Sequence, residues 1–388
     1  MQLRDWTIVR ILASVATKIW AASFAALLAC FIVYCFYGFF MAFSFSLAAI
    51  AGILYQTQDT LLYHPEQPPH SRVFIPVPSM FGIGLADIFH WFLTELRFCC
   101  LGFPQSFDFS LLVLSVDPWN KMIALHIAGL PYESVNIRST DGVILHAFLI
   151  RHNGDKGRFV PTIVYLHGNA GNMGHRLQNA SGMFHTLQCN LLMIDYRGYG
   201  LSTGTPIEQG LYNDARAAID YLHTRHDLDL SQIVLFGRSL GGAVAIDVAS
   251  DPEYYQKLMC VMLENTFTSI PEMAVSLIHQ SIKYFPLFMF KNLYISIQKI
   301  QFFAAPCLFV SGMADTLVPP KMMLQLHARC GSRRKQLIQI KGGSHNDTWA
   351  TAGYYQGLAQ FLTECKETRT PLQTAPALRS KWPQVEDL

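Results

Sequence analysis

"LFGRSLGGAVAIDVAS", residues 235–250, is the stretch whose reading decides the fold. An apolar run ends at Phe236, one serine stands between Gly237 and Gly241, and small residues follow at Gly242, Ala243 and Ala245. Ser239 is either a nucleophile raised on a sharp turn or one more small residue in a glycine-rich bend. The pattern alone decides little, because glycine and serine are common residues. Its surroundings decide. A strand before it and a helix after it would force the chain to reverse at Ser239, with glycines on both sides so that helix and strand pack closely.

The flanking sequence has that rhythm. "ESVNIRSTDGVILHAFLIR" alternates polar and apolar residues on both sides of "TDG", which predicts a hairpin of 133–138 and 143–151. Short apolar runs then recur at Thr162–Leu166, at 191–195, and in "SQIVLFGRS", "KLMCVMLENTF", "PCLFVSGMAD" and "KQLIQIKGG". Helical patterns separate them at 175–186, 207–224, Leu240–Ser250, 321–328 and 348–365. Apolar strands alternating with helices predict an α/β class, a mostly parallel sheet with helices on both faces.

Ligands of such a sheet meet the carboxyl ends of its strands. Ser239 follows one strand, Asp315 follows "CLFVSGMA", and His345 follows "QLIQIKGGS". This is the chain order Ser, Asp, His of a nucleophile elbow with its partners. A serine hydroxyl is a weak nucleophile at neutral pH, so an imidazole must take its proton, and a carboxylate must hold that imidazole. Glu264, one strand earlier in "MLENTF", is the rival acid. The oxyanion donors expected are the backbone N–H groups of Leu240 and of Asn169 in "HGNAGN", with Ala170 the neighbouring choice. "HGNAGN" has neither G-x-G-x-x-G nor a P-loop lysine, which argues against phosphate binding. His167 is read as shaping this turn and Asp195 as tying the "DYRGYG" loop. Arg238 is read as a structural or substrate-end contact.

"LHGNAGNMGHRLQNA", "DYRGYGLSTG", "FGRSLGGAVA", "ENTFTSIPEMA", "SGMADTLVPPKMM" and "GGSHNDTW" together resemble the bud-emergence family of membrane-anchored serine hydrolases. The resemblance runs from "LLYHPEQP" to about residue 365. It implies the alpha/beta-hydrolase fold behind a type II anchor, and a Ser239–Asp315–His345 triad. It supplies no settled substrate.

The composition agrees with an anchored protein. Charged residues are 14% and apolar ones 51%, where about 25% charged is usual. From Ile19 to Tyr55 no residue is charged, and none is Asn, Gln or His. That length exceeds the roughly 20 residues a spanning helix needs. As one helix it would also overshoot the bilayer, so Gly38 near its middle marks a candidate re-entrant turn. Arg4, Arg10 and Lys18 precede the span, and Asp59 and Glu66 follow it. The positive-inside rule then predicts a single-pass type II protein with a lumenal or extracellular body, whereas a hairpin would return the body to the cytoplasm. A lumenal body would make the sequons at Asn179 and Asn346 glycosylation candidates.

The expected organisation is a cytoplasmic segment (1–18), a transmembrane anchor (19–55), a linker (56–131), the hydrolase domain (132–366) and a disordered tail (367–388). Within the linker, 80–128 reads as an insertion. In the family it resembles, "FIPVPS" runs almost directly into the hairpin. Leu85, Ile88, Phe89, Phe92, Leu93 and Leu96 recur there at helical spacing, predicting an amphipathic helix. The composition equally fits a translated intron. The stretch 269–300 is helical and aromatic, with Phe285, Phe288, Phe290 and Tyr294 clustered, and is read as a cap lining an acyl site.

The function expected is hydrolysis of a lipid-like ester or thioester through an acyl-enzyme. The alternatives are a serine peptidase of the same fold, or a non-catalytic membrane scaffold. No cofactor, no metal and no nucleic-acid partner are expected, since the net charge is only +2 and no His/Cys cluster has zinc spacing. The bilayer itself and an acylated substrate are the partners expected.

Overall fold

The computed structural model describes residues 24, 26–35, 38–67, 71 and 130–368. The segment 1–18, the insertion at 80–128 and all but the first two residues of the tail 367–388 lie outside them.

Eight strands form one sheet: β1 Tyr132–Arg138, β2 Ile144–Ile150, β3 Thr162–Leu166, β4 Asn190–Ile194, β5 Ile233–Arg238, β6 Cys260–Glu264, β7 Cys307–Gly312 and β8 Lys335–Ile340. Their order is β1-β2-β4-β3-β5-β6-β7-β8. β1 and β2 make the antiparallel hairpin read from "TDG", and β2 also runs antiparallel to β4. The remaining pairs are parallel. Strands β3 to β7 are buried along their whole length. That is why their sequences read as unbroken apolar runs rather than alternating ones.

Alternate side chains serve two cores. Val164, Leu166 and Leu235 face one side, beneath Glu208–His223 (α3), Leu240–Ser250 (α4) and Pro320–Arg329 (α6). Ile163, Tyr165, Val234 and Phe236 face the other, beneath Leu177–Leu187 (α2) and Tyr354–Glu367 (α7). Register aligns the strand ends. Leu166 pairs with Gly237, Arg238 with Glu264, and Gly312 with Ile340. The residues just after these strands are thereby set side by side on one edge of the molecule.

Two helix expectations needed correcting. The helix expected over 348–365 is a short turn at Thr348–Ala350 and then α7, parted at Gly353, whose φ of 88° no helix admits. The aromatic stretch, expected to be helical, holds one eight-residue helix, Ile270–Leu277 (α5), and continues in short 3₁₀ turns at Gln280–Tyr284 and Leu287–Met289.

Ahead of the domain, helical residues 26–35 precede a 24-residue helix, Phe39–Leu62 (α1), capped at Gly38 with φ 81°. Ser46 Oγ donates to Cys30 Sγ at 3.0 Å. In a continuous helix these residues would stand about 24 Å apart. The chain therefore reverses between them, at the turn that Gly38 suggested. Among the described residues no helix is long and apolar enough to cross a membrane. α1 is apolar only to Tyr55 and becomes polar at Gln56, Gln58 and Asp59.

Candidate active site

Ser239 sits between β5 and α4 with φ 54° and ψ −116°, a backbone region that a non-glycine residue occupies only under constraint. The constraint is the close approach of α4 to the sheet. A Cβ on Gly237 would lie 2.3 Å from the carbonyl oxygen of Gly241, and one on Gly241 would lie 2.1 Å from that of Leu166. Both glycines are thus required by contact. The serine hydroxyl is lifted off the sheet edge by the turn they allow.

His345, on the loop after β8, reaches that hydroxyl. Its Nε2 is 3.1 Å from Ser239 Oγ, and its Nδ1 is 2.7 Å from Asp315 Oδ2. A carboxylate on Nδ1 fixes the proton there and leaves Nε2 to accept from the serine. Asp315 is itself held. Its Oδ1 accepts the N–H groups of Leu317 and Val318, both at 2.8 Å, and the residue is only 6% exposed. The three residues singled out in the sequence are therefore in one hydrogen-bonded line.

Glu264, the rival acid, points elsewhere. Its side chain is wholly buried, accepts from the Tyr354 hydroxyl, and stands 3.3 Å from Arg238 Nε. Burial pushes its carboxyl up, and the Arg238 guanidinium offsets part of that rise. Arg238 in turn donates to the carbonyl oxygen of His345 and to Asn346 Oδ1. Of the two roles left open for Arg238, the structure shows the structural one: it clamps the histidine loop.

Two neighbours escaped the sequence reading. The Thr266 hydroxyl donates to the Ser239 carbonyl at 2.7 Å, and Asn265, at φ 46°, bonds Gly312 N and Thr348 Oγ1. A polar "ENT" closing an apolar strand was the signal available.

Opposite the histidine, the loop after β3 lies against Ser239. A Cβ on Gly168 would be 3.6 Å from Ser239 Cβ. Leu240, first residue of α4, has an N–H with no partner inside its helix. Asn169 is next in this loop, and its side chain is committed: Oδ1 accepts from His64 N and Tyr199 OH, and Nδ2 donates to Leu62 O. His167 shapes the loop from beneath, its Nδ1 donating to the Gly168 carbonyl at 2.6 Å. Burial, with the charge of Arg176 adding to it, pulls the imidazole down to about 3. His167 is accordingly neutral, and its 3.6 Å contact with Asp195 is no ion pair. Asp195 accepts from Met173 N, tying the end of β4 to the same loop.

The expectations for the Asn179 sequon and for an acyl-lining cap are corrected. Asn179 is buried, its amide donating to Tyr165 OH and its Oδ1 accepting from Tyr355 OH. The folded domain does not present it for glycosylation. Asn346 is exposed, but its Oδ1 is held by Arg238 beside His345. The aromatic stretch does not cluster into an acyl-lining cap either: Phe285 and Phe288 are exposed, while Tyr294 is buried against Tyr63. Among the described residues no group of His, Cys, Asp and Glu is arranged to hold a metal. A surface cavity lined by Arg151, Arg158, Arg225 and Asp227 lies near the β1–β2 edge, away from Ser239, with its charges largely paired to one another.

The family described as serine aminopeptidase, S33, matches residues 159–302. The alpha/beta hydrolase domain-containing protein WAV2 of Arabidopsis thaliana is 40% identical over 251 residues, 60% of this chain and 79% of that one. The protein bem46 of Schizosaccharomyces pombe is 32% identical over 322 residues, 82% of this chain and 90% of that one. An uncharacterized membrane protein of Saccharomyces cerevisiae is 34% identical over 61% of this chain and 81% of its own. Among solved structures, the esterase Pf2001 of Pyrococcus furiosus superposes with a TM-score of 0.51 at 19% identity. It covers 65% of this chain and 95% of that chain, a likeness of fold alone.

Proposed function

This chain belongs to the bem46 family of alpha/beta hydrolases, and from that premise we propose that it is a membrane-anchored serine hydrolase of acyl esters or thioesters. The observation that carries the proposal is His345 bridging Ser239 Oγ and Asp315 on a nucleophile elbow. Ser239 Oγ attacks the acyl carbonyl as His345 Nε2 takes its proton. Asp315 holds the imidazolium that forms. The oxyanion is received by the N–H of Leu240 and by the Asn169 N–H of the adjoining loop. His345 then protonates the leaving alcohol or thiol, leaving an acyl-serine. Water, deprotonated by the same nitrogen, releases the acid and restores the serine.

Labelling with a fluorophosphonate, followed by an acyl-ester and thioester panel, tests the reading. Wild type labels and Ser239→Ala does not, while melting as wild type does. Undiminished labelling of that variant would end the assignment. A serine peptidase is the enzymatic alternative, supported by the S33 match, and aminoacyl arylamides added to the panel separate it. A scaffold would fail to label at all.

Membrane anchorage is supported by the side chains of 26–35 and α1, where Leu27, Phe31, Phe39, Phe43, Leu47 and Ile50 are all exposed. Charge asymmetry favours a single span with a lumenal or extracellular body. The Cys30–Ser46 contact favours a second reading, a re-entrant hairpin that leaves the body on the side of the N-terminus. Neighbouring unbridged thiols at Cys307 and Cys330 suit the reducing compartment that this second reading implies. Protease treatment of sealed microsomes separates the two: a body cut without detergent is cytoplasmic, and a protected one is lumenal.

A further inference from the structure

The end of α1 is built into the domain. Gln58 pairs with the backbone of Met289 and Lys291, and Asp59 with the side chains of Lys291 and Asn292. Tyr63 OH donates to Asn292 Oδ1, and Glu208 accepts the N–H groups of Leu293 and Tyr294 from the other side. Leu62 and His64 are bonded to Asn169, next to Gly168 against Ser239. The helix therefore ends at the carboxyl edge of the sheet, where Ser239 lies, and is fastened to residues 289–294.

The chain just before those residues is turned outward. From Ser276 to Phe288 every side chain but Ile282 is exposed, including Leu277, Ile278, Tyr284, Phe285, Leu287 and Phe288, the last at 80%. Exposed apolar side chains at this density are costly in water. No acidic residue stands between Met273 and Asn292, and Lys283 lies over the Tyr284 ring at 4.9 Å. Aromatic and apolar side chains with a lysine and no acid suit the headgroup region of an anionic bilayer. On one side this strap continues into the contacts that hold α1, where Phe39, Met41, Phe43, Leu47, Ile50 and Leu54 are exposed.

We infer that residues 276–288 seat in the lipid surface beside the anchor, so that the catalytic edge of the sheet opens onto the bilayer and receives its acyl substrate from it. The substrate route rests on the serine-hydrolase reading; the seating does not.

The test uses the full chain in nanodiscs of phosphatidylcholine and phosphatidylserine. Benzoylphenylalanine is placed at Phe288 or at Phe159, an exposed phenylalanine ahead of β3, at the opposite edge of the sheet. On irradiation, position 288 is expected to capture an alkyne-tagged lipid and position 159 not to. Equal capture at both, or none at 288, overturns the seating. In the double variant Ile278→Asp with Phe288→Asp, hydrolysis of a long-chain ester in the disc is expected to fall about tenfold or more. Hydrolysis of a soluble short-chain ester is expected to stay unchanged. Equal loss on both esters in a variant with wild-type melting overturns the substrate route. Lipid capture at position 288, together with a wild type that neither labels with fluorophosphonate nor cleaves either ester, would uphold the seating and remove the hydrolase reading.

Discussion

Two histidine–aspartate pairs stand on the same edge of the sheet. His345 and Asp315 follow β8 and β7 and meet at 2.7 Å, with Ser239 Oγ at the far nitrogen. His167 and Asp195 follow β3 and β4 and are 3.6 Å apart. The first histidine is half-buried and reaches a hydroxyl. The second is sealed among Tyr196 and Tyr199, and donates to its own loop. The same residue types in equivalent positions thus do different work. One imidazole bridges a carboxylate and a hydroxyl at hydrogen-bond distance, the arrangement that the proposed mechanism uses as a base, while the other, buried with no carboxylate that close, is a strut.

The largest effect expected follows from exchanging the two acids. Asp315→Asn should lower turnover roughly 10⁴-fold, because the amide no longer holds the Nδ1–H tautomer. Asp195→Asn, which still offers an oxygen to Met173 N, should stay within about tenfold of wild type. Steady-state rates on a soluble ester decide. Comparable losses would erase the distinction between the pairs.

Acid sharpens the contrast next. The folded state holds His167 down at about 3, below an unfolded value of about 6.5. A depressed base contributes stability that is present above the unfolded value and lost as pH falls toward the folded one. The melting temperature should therefore fall progressively from about pH 6.5 to pH 4. The fall should be shallower in His167→Gln, measured by differential scanning calorimetry. Parallel pH curves would show that His167 is not the buried neutral strut described.

Glu264→Gln tests whether the buried acid beside the site is structural. It removes the counter-charge of Arg238 and should cost about 1–3 kcal/mol of stability, with turnover within about tenfold. A loss of turnover matching that of Asp315→Asn would make Glu264 the orienting acid. The smallest effect expected is for Arg238→Lys. Lysine keeps the charge near Glu264 but lacks the fork that reaches the His345 carbonyl and Asn346. A few-fold fall in kcat is expected at unchanged melting temperature, and no fall would free the histidine loop from this clamp.

Much of this was legible in the chain. The runs at Thr162–Leu166 and Leu240–Ser250 were read to the residue, because fully buried parallel strands and glycine–alanine helices write their packing into composition. Ser239, Asp315 and His345 stood out because each comes within a few residues of the end of an apolar strand. The choice between Asp315 and Glu264 was not, since both follow strands and differ only in which donors face them in space.

What the sequence determined by itself was local: the periodicity of strands and helices, the glycines that permit the turn at Ser239, and the order of the three polar residues. These depend on neighbours a few positions away. What only the tertiary structure decided depends on residues far apart in the chain. Asn179 is a sequon whose amide is consumed by Tyr165 and Tyr355. Asn169 is a loop residue whose side chain receives the end of α1. Phe285 and Phe288 face outward although their composition suited a lining. The reversal of the N-terminal helices appears only where Ser46 meets Cys30. Each turns on which distant surface a side chain meets, and a local pattern holds no record of that.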